Sequence, residues 1–537
     1  MQACAASSFE GEKEESWKGK EERAWLWRAE SFRDGVKGNS GREAENSKKT
    51  SLRSTVPTSE RQDRLSALPD DVLLCILGRV GDLRTAVRTS VLSTRWRRLP
   101  WLLPELDIDA EYFMFHPQSK INEEANGTRD AMRTVTAATR SLLAKPRREY
   151  TVTRLRLTLY LINSLWYDIG QLVWDAIECG SLKDLELAII DDTYRPKYSP
   201  ADKLRRSQDM GRFFRACPRV LHCITRLTLC SLSFDELDMH HILFDCCKQL
   251  KHLSLIFCDA GAGPWKIDAP NSKLRVLDLN TCYFDRIDLI SLPKLETLCW
   301  DFCVSRHAPL SFGFVPSLEE LDLAHFLYPD QDLLKLSELL HGAEGIHTLT
   351  LDFLRMTLWL QPEIKQLASA FSKLRKLSIV GVFVEFDLMW TTAFLEAAPN
   401  VEILNIQVTE PCEMEHLHVP LSAHNRTNPQ WDLGLEFRSS KNLALRELHI
   451  ACFRPLEQQL TFIRMILERA PNLQSVVLTE DREKCEKCDA MALSGPPSAL
   501  ARPAFPKNKE EQDMVVSRVT DGTFFSGQIF FMIEKLY

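Results

Sequence analysis

Residues 274–303 read LRVLDLNTCYFDRIDLISLPKLETLCWDFC. One frame, L-x-x-L-x-L, occurs twice in this stretch: Leu274, Leu277 and Leu279, then Leu295, Leu298 and Trp300. The last two apolar positions of each copy alternate as strand residues do, so the leucines share one face and the residues between them point the other way. A short spacing repeated in this manner is the signature of stacked units, each too small to bury a core without its neighbours.

Working outward, the frame persists in both directions. Upstream it reads Val152/Leu155/Leu157, Leu182/Leu185/Leu187, Ile224/Leu227/Leu229 and Leu250/Leu253/Leu255. Downstream it reads Leu318/Leu321/Leu323, Ile346/Leu349/Leu351, Leu374/Leu377/Ile379, Val401/Leu404/Ile406, Leu445/Leu448/Ile450 and Leu473/Val476/Leu478. Most steps run 21 to 30 residues, and two longer ones imply insertions before Ile224 and Leu445. The pattern predicts an α/β fold: a leucine-rich-repeat solenoid with one parallel sheet, its connectors returning as helices or irregular turns on the outer face. The solenoid is expected over 105–443, with final repeats at 444–479. Helical connectors are expected at Glu236–Cys247, Asp332–Leu340, Glu363–Phe371, Met389–Ala397 and Glu457–Arg469, and a helix at Asn122–Leu143.

Two side-chain sets follow from the frame. Cys258, Cys282 and Cys303 each lie three residues beyond the last apolar site of their unit. The repeat alone explains that spacing, with the thiols turned inward against backbone; a metal-binding ladder is the alternative. Between the leucines, Asp278, Asp301, Glu320, Asp322 and Asp352 are expected on the concave side. They form either an acidic strip that selects a basic segment of a substrate protein or a row of solvated charges.

Upstream of the repeats, Leu65–Trp101 reads LSALPDDVLLCILGRVGDLRTAVRTSVLSTRWRRLPW. Pro69 stands where a first helical residue belongs, and Asp70 and Asp71 complement the helix dipole. Val72, Leu73, Ile76, Leu77 and Val80 form one apolar face. Gly81 ends this helix, Asp82 can cap a second one through Val91, and Ser93 a third carrying Trp96 and Leu99. Three such short helices need a partner to cover their apolar faces, inside the chain or outside it.

The run Leu68-Pro69-Asp70-Asp71-Val72-Leu73, then Ile76-Leu77, then Val91-Leu92-Ser93-Thr94-Arg95-Trp96-Arg97, resembles an F-box over residues 64–104. Ala444–Leu478 is similar to the FBD segment that follows the repeats in plant F-box proteins. Together these place the chain by resemblance in the plant F-box/FBD/leucine-rich-repeat family, and Leu102–Ile108 resembles the short strand that begins that family's leucine-rich region. The resemblance implies a substrate-recognition subunit of an SCF-type, cullin-RING ubiquitin ligase. Its F-box would bind an SKP-type adaptor, and through it a cullin, by Leu68, Pro69, Val72, Leu73, Ile76, Leu77, Val91, Leu92 and Trp96. The repeats would hold a target protein. A scaffold that pairs with the adaptor but recruits no cullin is the alternative.

Composition narrows the remaining classes. The chain has 537 residues, 45% hydrophobic and 26% charged, with a net charge of −7. That balance gives no support for nucleic-acid binding, which calls for a basic face. No apolar run approaches the about 18–20 residues of a spanning helix, and the N-terminus carries no secretory pattern. The sixteen cysteines are scattered through apolar repeats, which suggests reduced thiols in the cytosol or nucleus. Cys485-x-x-Cys488 has no second half-site, so no metal or cofactor is expected there. Phosphate-loop, zincin and nucleophile-elbow templates are missing, and a non-catalytic protein is expected. His240-His241 should be exposed on an outer connector. Residues 1–60 read as a disordered extension, and 480–537 as a mostly disordered tail.

Overall fold

The computed structural model describes most of residues 65–480 and residues 504–533; segments 1–64, 114–123, 144–150, 192–198, 410–442, 481–503 and 534–537, with several shorter loops, lie outside the described residues. The expected disorder of residues 1–60 and the Cys485/Cys488 pair fall outside them. Residues 39–258 and 259–537 group into separate compact units.

The first unit begins with helices α1 (Asp70–Gly78) and α2 (Leu83–Arg88). The expected third helix is a run of turns followed by a 3-10 segment at Leu99–Leu102. Ser93 does accept from the Trp96 amide, at 3.4 Å, but Pro100 lacks an amide hydrogen to extend an α-helix. Five parallel strands follow in chain order: β1 (Glu105–Asp109), β2 (Val152–Tyr160), β3 (Leu182–Ile190), β4 (Ile224–Cys230) and β5 (His252–Ile256). Between them run α3 (Glu124–Leu143), α4 (Leu165–Glu178) and α5 (Pro200–Ala216). The frame holds where Leu155 and Leu157 lie beside Leu185 and Leu187. It slips between β3 and β4, where Leu187 pairs with Leu227 across a bulge at Leu185/Glu186. The strand side-chain period is two, so this slip leaves every leucine facing inward.

In the second unit the main sheet runs β7 (Val276–Asn280), β9 (Thr297–Cys303), β11 (Glu320–His325), β12 (Thr348–Asp352), β13 (Lys376–Phe383), β14 (Ile403–Thr409), β15 (Glu447–Ala451), β16 (Ser475–Glu480) and β17 (Gln528–Ile533). Leu277, Leu298, Leu321, Leu349, Leu377, Leu404, Leu448 and Val476 occupy one continuous rung, each at 0% exposure. Full burial of such side chains contributes about 1.5–3 kcal/mol each relative to exposure.

The outer face departs from the expectation of helices and irregular turns. β6 (Trp265–Asp268), β8 (Ile287–Ser291) and β10 (Leu310–Phe314) form a second parallel sheet in the order β10-β8-β6. They fall in the shortest repeat steps. An extended chain advances about 3.3 Å per residue against 1.5 Å in a helix, so a strand crosses the back of a coil with fewer residues. Longer steps return through short helical turns such as Thr392–Ala397, narrower than predicted, and through α6 (Glu457–Arg469), which matches its predicted bounds. Aromatic side chains fill the space behind those short turns: Phe353 lies 5.6 Å from Trp359 and 5.8 Å from Trp390, ring to ring.

Cys258 and Cys282 turn inward, both at 0% exposure. The residue before each, Phe257 or Thr281, has a left-handed backbone (φ 55° and 57°) that flips the next side chain into the core. The Cys258 thiol donates to the Leu229 carbonyl at 3.5 Å and that of Cys282 to the Asn280 carbonyl at 3.4 Å. The Cys303 side chain lies outside the described set.

The tail corrects another expectation. Residues 504–533 fold onto the last repeats: α7 (Lys509–Thr520) packs on α6, and β17 adds a strand beside β16. Asn508 caps α7 by accepting from the Glu511 amide at 2.9 Å, and Val515 and Val519 are buried. β16 would otherwise be an open edge.

Candidate functional site

The nine residues assigned to adaptor binding separate into two groups. Leu73, Leu77 and Trp96 are core, at 0%, 3% and 2% exposure. Val72 and Ile76, one helical turn apart on α1, are each 39% exposed, Val91 is 85% exposed and Leu92 63%. Pro69 is exposed and Leu68 partly so. Leu73 and Leu77 thus fasten α1 to the chain, while Val72 and Ile76 stand on its outward side. Leu65 and Val80, at 51% and 37%, add to the exposed apolar surface.

The segment after Leu92 is tied back to α1. Arg95 donates through Nε, at 2.8 Å, and through a terminal nitrogen, at 2.6 Å, to Oδ1 of Asp70. Both partners are well exposed, so the pair contributes about 0.2–1 kcal/mol, enough to bias the placement of this segment but not to hold it alone. Arg79, Arg88, Arg97 and Arg98 are exposed around the apolar residues and give the segment a basic rim.

The strand positions between the buried leucines differ in charge in the two units. In the first, Glu186 draws Arg156 at 2.9 Å, Arg154 at 3.7 Å and Arg226 at 3.8 Å, and Arg156 also reaches Asp107 at 3.2 Å. These charges largely satisfy one another. His252, beside Arg226 in the register, is pushed down to about 4, first by burial and then by the Arg226 charge, and is neutral at pH 7.

In the second unit Asp278 and Asp322 stand on either side of Cys299 in the register, and Glu320 flanks Thr297. Burial, with the charges of Glu320 and Asp278 adding to it, raises the Asp322 carboxyl above its ordinary range, against a Thr350 hydrogen bond and the Lys376 charge. The same crowding, after burial, raises the Cys299 thiol. Asp301 accepts from the Asn280 amide nitrogen at 2.9 Å. Asp352 does not belong with this group. It is 8% exposed, and its carboxylate accepts from the Leu354 amide at 2.7 Å, which places it in the turn that ends β12. Among the described residues no group of His, Cys, Asp and Glu is arranged to hold a metal ion, and no helix is long and apolar enough to cross a membrane.

Comparison with known proteins bears on these features. A family described as "At1g61320/AtMIF1, LRR domain" matches residues 215–499. The chain is 49% identical over 55 residues to the F-box/FBD/LRR-repeat protein At5g22700 of Arabidopsis thaliana, covering 10% of this chain and 12% of that one. It is 51% identical over 49 residues to the F-box/FBD/LRR-repeat protein At5g53840 of the same plant, covering 9% and 11%. A longer match, 25% identical over 302 residues, joins it to the putative F-box/LRR-repeat protein At3g42770, covering 53% and 54%. None of these three matches spans more than about half of the relative.

Proposed function

The chain belongs to the plant F-box/leucine-rich-repeat family, and from that premise we propose that it is the substrate-recognition subunit of an SCF-type ubiquitin ligase. The observation that carries this reading is the exposed apolar surface of Val72, Ile76, Val91 and Leu92 on an N-terminal segment whose Leu73, Leu77 and Trp96 are already buried within the chain. An SKP-type adaptor covers that surface and brings a cullin with it. The repeats hold a target protein, and the acidic positions Asp278, Asp301, Glu320 and Asp322 favour a target whose docking segment is basic. The receptor does no bond chemistry. It raises the effective concentration of target lysines beside a ubiquitin-loaded enzyme held by other subunits.

The test is capture of an SKP-type adaptor by the full chain, beside Val72→Glu/Ile76→Glu and Val91→Asp/Leu92→Asp variants. Binding by the parent and its loss in both folded variants supports the proposal. Equal capture by all three overturns it. A cullin that co-purifies with the parent separates a ligase receptor from a scaffold.

A further inference from the structure

The connector between β4 and β5 carries a side-chain relay of His241, Asp245 and Cys246. Residues His241–Cys246 form a π-helical turn, with the Cys247 amide donating to the Ile242 carbonyl five residues back at 3.2 Å. In an α-helix residues 241 and 246 would stand about 140° apart around the axis. The wider π winding brings them onto one side, and such turns recur at functional sites. Nδ1 of His241 lies 3.0 Å from Oδ2 of Asp245, and Nε2 of His241 lies 3.5 Å from Sγ of Cys246. Asp245 accepts from Nδ1–H and so fixes the tautomer in which Nε2 is the acceptor facing the thiol. Carboxylate, imidazole and thiol stand in the order that activates a cysteine nucleophile. His241 and Asp245 are 58% and 61% exposed, and Cys246 is partly so, leaving the sulfur within reach of solutes.

We propose that Cys246 is a reactive thiol that takes up small disulfides as a covalent, reversible modification, with His241 as its base and Asp245 orienting His241. The thiol proton passes to Nε2 of His241. The sulfur attacks one sulfur of a disulfide R–S–S–R, a Cys246–S–S–R bond forms, and the R–S–S–R bond breaks with its electron pair leaving on RS⁻. His241 returns the proton to give RSH. Cys246 is oxidised to the mixed disulfide, and half of the incoming disulfide is reduced to the thiol.

The neighbouring cysteine provides an internal contrast. Cys247 is 3% exposed, and burial pushes its thiol up to about 12, so it stays protonated and shielded one residue away. Cys75 and Cys179 are exposed and serve as reference thiols.

The test exposes the reduced full chain to glutathione disulfide and follows the mixed disulfide on each cysteine peptide by mass spectrometry. Cys246 is expected to react about tenfold faster than Cys75 and Cys179. His241→Gln should bring it down to their rate, and Asp245→Asn should slow it partway. Both positions are exposed, so unchanged thermal melting and unchanged rates at Cys75 and Cys179 verify that each variant is folded. Equal rates at the three thiols in the parent, or an unchanged Cys246 rate in folded His241→Gln, would overturn the proposal.

Discussion

Single residues divide the N-terminal segment between core and surface. Leu73 and Val72 are adjacent in sequence, yet one is wholly buried and the other 39% exposed. Leu73→Ala should therefore destabilise the chain by about 2–5 kcal/mol, as cavities in packed cores do, measured as a lowered urea midpoint. Val72→Glu should leave that midpoint unchanged while weakening adaptor capture. Asp109 makes a second prediction. Burial is the main cause that pushes its carboxyl up to about 7 from 3.8, with the Glu111 and Asp107 charges adding to it and the Glu111 backbone amide and Arg156 opposing it. Below about pH 4 the group is neutral in both the folded and the unfolded chain and nothing is lost; between about pH 4 and 7 the unfolded chain ionises while the desolvated folded carboxyl holds its proton, so stability falls as the pH rises and levels off above the folded value. Asp109→Asn keeps an acceptor for the Glu111 amide, 2.8 Å away. It should be more stable than the parent at pH 8 by on the order of 1 kcal/mol, with the gap closing toward pH 4.

At the scale of elements, the last helix and strand are the informative ones. α7 and β17 bury Phe505, Val515 and Val519 and cover the edge of β16, and Lys507 pairs with Glu480 at 2.9 Å. A chain ended at Glu480 should melt lower by on the order of 5 °C in calorimetry, because these contacts vanish and nothing replaces them. It should also self-associate in light scattering through the bared β16 edge; a monodisperse, equally stable truncation would show that this segment is dispensable. The turn at Gly342 constrains the back of the second unit in a different way. Its φ is +87°, and a Cβ there would stand 2.4 Å from the Phe312 carbonyl oxygen. Gly342→Ala should cost more than about 1 kcal/mol, read as a shift in the urea midpoint at unchanged slope.

For the whole molecule, the charge of the strand positions between the buried leucines of the second unit sets an expectation about targets. Reversal of Asp278, Glu320 and Asp322 to lysine should abolish capture of a basic target segment while adaptor binding persists. Capture that survives the triple reversal would assign recognition elsewhere. These side chains lie on strand positions between buried leucines, so the substitutions leave the core rung intact.

The sequence by itself determined the repeat frame, the parallel sheet and the family. Each leucine triad is a local, period-two signal that every neighbouring coil repeats, and stacking such units is the way they bury their apolar face. The placement of α6 was equally legible, since its helix ends at the Ala470-Pro471-Asn472 boundary before the next strand. Tertiary structure alone decided which apolar residues of the N-terminal segment are core and which are surface, because amphipathic spacing marks a face without naming what covers it. It also decided the slip between β3 and β4, the outer sheet of β6, β8 and β10, the turn that withdraws Asp352, and the folding of residues 504–533 onto the last repeats. Each of these depends on contacts with the adjacent coil. The Cys246–His241–Asp245 relay is the sharpest instance: its residues stand within six positions of one another, yet only the π winding of the turn brings the thiol to the imidazole.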